Sequence, residues 1–112
     1  MRTFISQAEI YQRLGITLAD LEEFCQRWQV AELSLFGSAL RDDFTENSDI
    51  DVLVAYLPTA RRGLFEKIQM TEALEALLHR KVDLVSKWAI AQSRNWLRRQ
   101  NILDSARFFY VA

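Results

Sequence analysis

An α/β (α+β) fold, a small mixed β-sheet flanked by helices, follows from three features of this sequence. Short apolar runs of strand length occur at Leu33-Ser34-Leu35-Phe36, at Asp49 to Val54 and at Val82-Asp83-Leu84-Val85. Before and between them, apolar residues recur at helical intervals. The last two runs are joined by a long helical return, which favours parallel neighbours, whereas the shorter connection from Phe36 to Asp49 suits an antiparallel pair. At 112 residues the chain is read as one domain, with a helical N-terminal segment (1–30), a core (31–86) and a C-terminal helix and strand (87–112).

In chain order, Ser6-Gln7-Ala8-Glu9 has the capping-box pattern, and Gly15 stops the short helix it starts. Thr17-Leu18-Ala19-Asp20 has cap-like spacing for a second helix, whose Leu18, Leu21, Phe24, Cys25 and Trp28 form an apolar stripe. Cys25 on that stripe reads as a small core residue, since no local base activates it. Tyr56-Leu57-Pro58-Thr59 ends the second strand, because Pro58 cannot donate to a ladder. Leu64, Phe65, Ile68, Ala73, Leu74, Leu77 and Leu78 then mark a helix from about Gly63 to His79. His79, the single histidine, reads as a helix-terminal residue. Ala89 to Gln100 is expected to be one helix, with Trp88 and Trp96 on a shared inward face, and Ala106 to Val111 an edge strand.

The chemistry lies at two places separated by ten residues, Gly37-Ser38 and Asp49-Ile50-Asp51. Glycine after an apolar run ends a buried strand, and a short helix opening at Ser38 would aim free N–H groups at an anion. In the following strand, side-chain alternation puts Asp49, Asp51 and Leu53 on one face and Ile50, Val52 and Val54 on the other. Like charges on one face repel by up to about 4 kcal/mol at 4 Å with an effective dielectric near 20, and a cation relieves this. Oxygen-only ligands favour Mg²⁺ or Mn²⁺. Asp83, a lone acid in a strand of Val and Leu, is the expected third ligand.

The residues Gly37-Ser38, Asp49-x-Asp51 and Asp83 together resemble the minimal nucleotidyltransferases of the DNA polymerase β superfamily. With Arg41, the chain is similar to the MNT-type antitoxins paired with HEPN-domain RNase toxins. The resemblance implies a polymerase-β-like nucleotidyltransferase fold and a type VII-like toxin–antitoxin pair, in which AMP passes from ATP to a tyrosine hydroxyl of the toxin. It assigns both metals to Asp49 and Asp51, with Asp83 completing one. It gives the β and γ phosphates to Gly37 and Ser38, and a phosphate or partner contact to Arg41. One departure is that Asp42 and Asp43 follow Arg41, where the family often has glycine.

Composition narrows the remaining classes. A net charge of −1 carries no nucleic-acid signature, and no apolar run spans a bilayer, so neither nucleic acid nor membrane is an expected partner. One cysteine and no signal-peptide core fit the cytoplasm. From Arg80 onward seven basic residues face two acidic ones, read as a solvated surface or as a patch that meets triphosphate or an acidic partner. Two other functions stay open: an antitoxin that acts by binding alone, and the catalytic chain of a small-molecule nucleotidyltransferase of the aminoglycoside-modifying kind.

Overall fold

A computed structural model describes residues 7–37, 45, 48–60 and 63–112. The elements run α1 (Gln7–Leu14), α2 (Leu18–Trp28), β1 (Val30–Phe36), β2 (Ile50–Tyr56), α3 (Leu64–Leu78), β3 (Val82–Ser86), α4 (Lys87–Ala91), α5 (Trp96–Ser105) and β4 (Arg107–Val111). The four strands form one sheet in the order β3-β2-β1-β4. As the connection lengths require, β1 and β2 are antiparallel and β2 and β3 parallel. β4 closes one edge antiparallel to β1. The mixed sheet flanked by helices is therefore the expected α/β fold.

The two sheet faces carry unequal cores. Ile50, Val52, Val54, Leu33, Leu35, Val82 and Leu84 pack with Ile10, Leu14, Leu21, Cys25, Met70, Leu74 and Leu78 from α1, α2 and α3. The opposite face holds a smaller cluster of Phe36 and Leu53 with Ile90 of α4 and Ile102 of α5. Alternation in β2 is thus realised, since Ile50, Val52 and Val54 enter one core and Leu53 the other.

Local signals hold at several helix ends. Gly15 adopts φ +66 and donates its N–H to the Tyr11 carbonyl at 2.9 Å, closing α1. Thr17 caps α2, its Oγ1 accepting from the Asp20 amide at 3.2 Å. His79 is the left-handed C-cap of α3 and lies exposed, in keeping with a helix-terminal role. The Ser6 cap lies outside the described residues. Tyr11 donates its hydroxyl to the Phe109 carbonyl at 2.5 Å, tying α1 to β4.

Four expectations are corrected. The helix expected over Ala89 to Gln100 is two helices, because side chains offer the backbone local alternatives. Ser93 Oγ accepts from the Asn95 amide, Asn95 Oδ1 caps α5 at Arg98, and Arg99 donates to the carbonyls of Ala91 and Ser93. Trp88 and Trp96 therefore sit on different helices, and both are exposed. On α3 the buried stripe is Met70, Leu74 and Leu78, while Leu64, Phe65 and Ile68 are exposed. Leu18 of α2 is likewise half exposed.

Cys25 is fully buried, and burial pushes its thiol up to about 12. A thiol whose folded value is raised favours the folded state fully below the unfolded value, and that contribution is lost as pH climbs towards the folded value. Relative to Cys25→Ala, the wild-type protein should lose about 1 kcal/mol of stability between pH 8.5 and 10, read from urea midpoints at each pH. Equal pH slopes for the two proteins would show that the thiol ionises freely in the fold.

Candidate active site

The end of β1, the start of β2 and the start of β3 lie side by side at one rim of the sheet, and the last two carry Asp49, Asp51 and Asp83. Asp51 and Asp83 are register partners across the parallel β2–β3 pair, and Phe36 is the antiparallel partner of Asp51 on the other side. Paired residues in adjacent strands share a sheet face, so Asp83, Asp51 and Phe36 form one row. This is the face of Leu53 and the smaller core. Asp51 is half-buried and Asp83 exposed. Asp49 lies one residue before β2 and is exposed.

Gly37 completes the row. It follows Phe36 with φ +68, in the left-handed region, and a Cβ placed on it would meet Asp51 Oδ2 at 2.5 Å. The Asp51 carboxylate therefore lies against the glycine Cα, in space that any side chain would fill. Glycine at 37 is required twice, once by backbone and once by contact.

Asp49 is held by its neighbours in the chain. The Ser48 amide donates to the Thr45 carbonyl at 3.1 Å and the Thr45 amide to Ser48 Oγ at 3.0 Å, which closes a turn before it. After it, the Ile50 amide donates to the Lys81 carbonyl at 3.0 Å. The residue is thus fixed on both sides by backbone, with its side chain at the solvent rim.

The donor set suits a hard divalent cation, being carboxylate oxygen throughout. Among the described residues Asp51 and Asp83 make a register-matched pair with Asp49 two positions upstream in the chain, and no three acidic, histidine or cysteine groups are placed so as to hold a metal ion together. Ser38 and Arg41, assigned to phosphate from sequence, lie outside the described residues. The described grooves lie elsewhere, one of about 530 Å³ beside Tyr56, Lys67 and Trp88, at the far ends of β2 and β3.

Sequence reading missed how the basic residues are used. Lys87 pairs with Glu32 at 3.4 Å and stands over the Phe108 ring. Arg99 ties the α4–α5 turn, and Arg80 donates to the Thr45 and Ser48 carbonyls at 3.1 and 3.3 Å. Those three are engaged in holding the fold, while Arg94 and Arg98 are exposed.

A family profile described as nucleotidyltransferase domain matches residues 21–109, from α2 through the acids to β4. The chain belongs to the nucleotidyltransferase domain family. It is 40% identical over 75 residues to protein adenylyltransferase MntA of Thermococcus cleftensis, an alignment covering 65% of this chain and 72% of that one. Its fold matches a solved minimal nucleotidyltransferase at TM-score 0.63 and 28% identity, over 92% of this chain and 95% of the other. It also matches the structure of a tri-AMPylated Shewanella oneidensis HEPN toxin in complex with MNT antitoxin, at TM-score 0.58 and 16% identity, over 92% and 73% of the two chains. The resemblance drawn from the glycine and aspartate spacing therefore holds for family and fold. This nucleotidyltransferase is an enzyme of nucleotidyl transfer, and no described helix is long and apolar enough to cross a membrane.

Two glycines separate backbone strain from contact at the site. Gly15→Ala and Gly37→Ala should each cost about 1–2 kcal/mol in denaturant midpoints, because both positions are left-handed. A Cβ at Gly15 meets nothing within 4 Å, so only Gly37→Ala should also displace Asp51 and cut nucleotidyl transfer, by about 100-fold. Equal activity in the two variants would show that Gly37 does not set the position of Asp51.

Proposed function

We propose that this chain is the antitoxin of a type VII-like toxin–antitoxin pair, a divalent-metal-dependent enzyme that moves AMP from ATP to a tyrosine hydroxyl of a HEPN RNase toxin and so inactivates it. The observation that carries the reading is the row of Asp83, Asp51 and Gly37 at one rim of the sheet. The adenylyltransferase name of the relative from Thermococcus cleftensis favours AMP as the group moved and a protein as acceptor. The fold shared with an MNT antitoxin bound to an AMPylated HEPN toxin favours a HEPN partner.

In this reading Asp49 and Asp51 hold Mg²⁺, or Mn²⁺, with Asp83 as the third ligand. The metal supplies charge that offsets the oxygens of the attacking hydroxyl and of departing pyrophosphate. The protein's own share is placement. The glycine-opened turn at Gly37 and Ser38 receives the β and γ phosphates, and Arg41 adds a charge-assisted contact. With no side chain at 37, the Asp51 carboxylate fits against the turn that receives the phosphates. Asp83, the register partner of Asp51, would complete the metal that activates the acceptor hydroxyl. The transfer forms a phosphodiester bond between the tyrosine oxygen and the α-phosphorus and breaks the α–β bond, and the hydroxyl proton leaves to solvent.

With the HEPN protein, ATP and Mg²⁺ present, intact mass should show AMP added to the partner. Asp49→Asn or Asp51→Asn should reduce that labelling by at least the ~100-fold that loss of a transition-state charge contact costs. Labelling at the wild-type rate in either variant would refute the metal assignment. A variant that neutralises the toxin without modifying it would make the chain an antitoxin by binding. AMP found on a small alcohol would make it a small-molecule enzyme.

A further inference from the structure

The corner between α3 and β3 does more than reverse the chain. It carries Asp83 three residues beyond Arg80, and it reaches across to the segment that carries Asp49. The Arg80 guanidinium donates through Nη1 to the carbonyl of Thr45 at 3.1 Å and of Ser48 at 3.3 Å. The next residue, Lys81, accepts the Ile50 amide on its carbonyl at 3.0 Å. Residues 80 and 81 therefore grip the chain immediately before and immediately after Asp49.

The grip is well anchored. Glu75 of α3 accepts the Val82 amide at 3.0 Å, and His79 closes α3 in the left-handed conformation, so the corner is tied to the helix. On the other side, the Thr45–Ser48 turn is closed by its own hydrogen bonds and offers its carbonyls as a preformed acceptor pair. Both bonds leave one nitrogen, Nη1, which has two N–H groups held in the rigid guanidinium plane, so the direction of each is fixed by the plane. Arg80 is half-buried, with its Nε enclosed.

We infer that Arg80 is a positioning residue for metal binding: by clamping the Thr45 and Ser48 carbonyls it sets the Asp49 carboxylate at the height of Asp51 and Asp83. The inference rests on Asp49 as a metal ligand, as proposed above. Without the clamp, the Thr45–Ser48 side of the segment loses its tie to the α3–β3 corner, and the acid samples positions away from the pair. Metal then binds more weakly, while chemistry at saturating metal persists.

Direct Mn²⁺ binding, read by the electron paramagnetic signal of free Mn²⁺, tests this on the full chain apart from any activity. Arg80→Ala should raise the Mn²⁺ dissociation constant by about tenfold, the change that ~1.4 kcal/mol produces. Arg80→Lys, which keeps the charge and the stem, should fall between Arg80→Ala and wild type, and it carries the test if Arg80→Ala does not fold. The Mg²⁺ concentration for half-maximal AMP transfer should rise in parallel, with the rate at saturating Mg²⁺ within a few-fold of wild type. A lower melting temperature with wild-type Mn²⁺ affinity in Arg80→Lys would overturn the inference and leave Arg80 a structural residue. Wild-type Mn²⁺ binding in Asp49→Asn would instead overturn the ligand assignment beneath it.

Discussion

The in-step parallel pairing of β2 and β3 is the constraint on which the acidic end of this molecule depends. It sets Asp51 opposite Asp83 and Ile50 opposite Val82, and so divides acids from core residues across the sheet. A one-residue slip of β3 would turn Val82 and Leu84 out of the larger core and Asp83 into it. Exposing two such aliphatic side chains costs about 1.5–3 kcal/mol each, and burying an unpaired carboxylate adds several more. Hydrophobic burial on one face thus fixes the position of charge on the other. The acids need no attraction of their own to meet, and across strands only ~4.8 Å apart they repel one another.

That repulsion is tolerable because of where the row lies. Asp83 and Asp49 are open to solvent, which screens them, and only Asp51 is partly enclosed. Its enclosure comes from Gly37 on one side, where the missing side chain leaves space for a carboxylate. Asp49 is placed differently from the other two. It stands outside the ladder, so sheet pairing does not define it, and contacts from the α3–β3 corner take over that task. Two acids are positioned by sheet register and one by a side-chain clamp.

Much of this was legible in the sequence, and the limits have physical causes. Period-two alternation separated Asp51 and Leu53 from Ile50, Val52 and Val54, and both faces follow it. Connection length told parallel from antiparallel neighbours, and glycine after an apolar run marked the turn at 37. Periodicity was less able to say which end of a helix is covered. Leu64, Phe65 and Ile68 have helical spacing, yet the sheet lies under Met70, Leu74 and Leu78. The break between α4 and α5 arises from Ser93, Asn95 and Arg99 competing for backbone groups, which a hydrophobic pattern does not register. Arg80 had no local signature, because its acceptors lie 35 and 32 residues earlier in the chain.

Topology explains why so short a chain can assemble such a site. Strands of a parallel pair start at the same end, so acids near the beginning of β2 and β3 become neighbours through the crossover helix α3 alone. A hairpin between the same two strands would have placed them at opposite ends, separated by the length of a strand. β1 runs antiparallel to β2, so its C-terminal end, with Gly37, arrives at this same rim. One chain end and two chain starts therefore converge, and each contributes a different chemical part: a turn without a side chain, a pair of acids, and a lone acid. Any one of these parts alone is an ordinary surface feature. Their convergence follows from strand direction, and strand direction follows from one long connection and one shorter one.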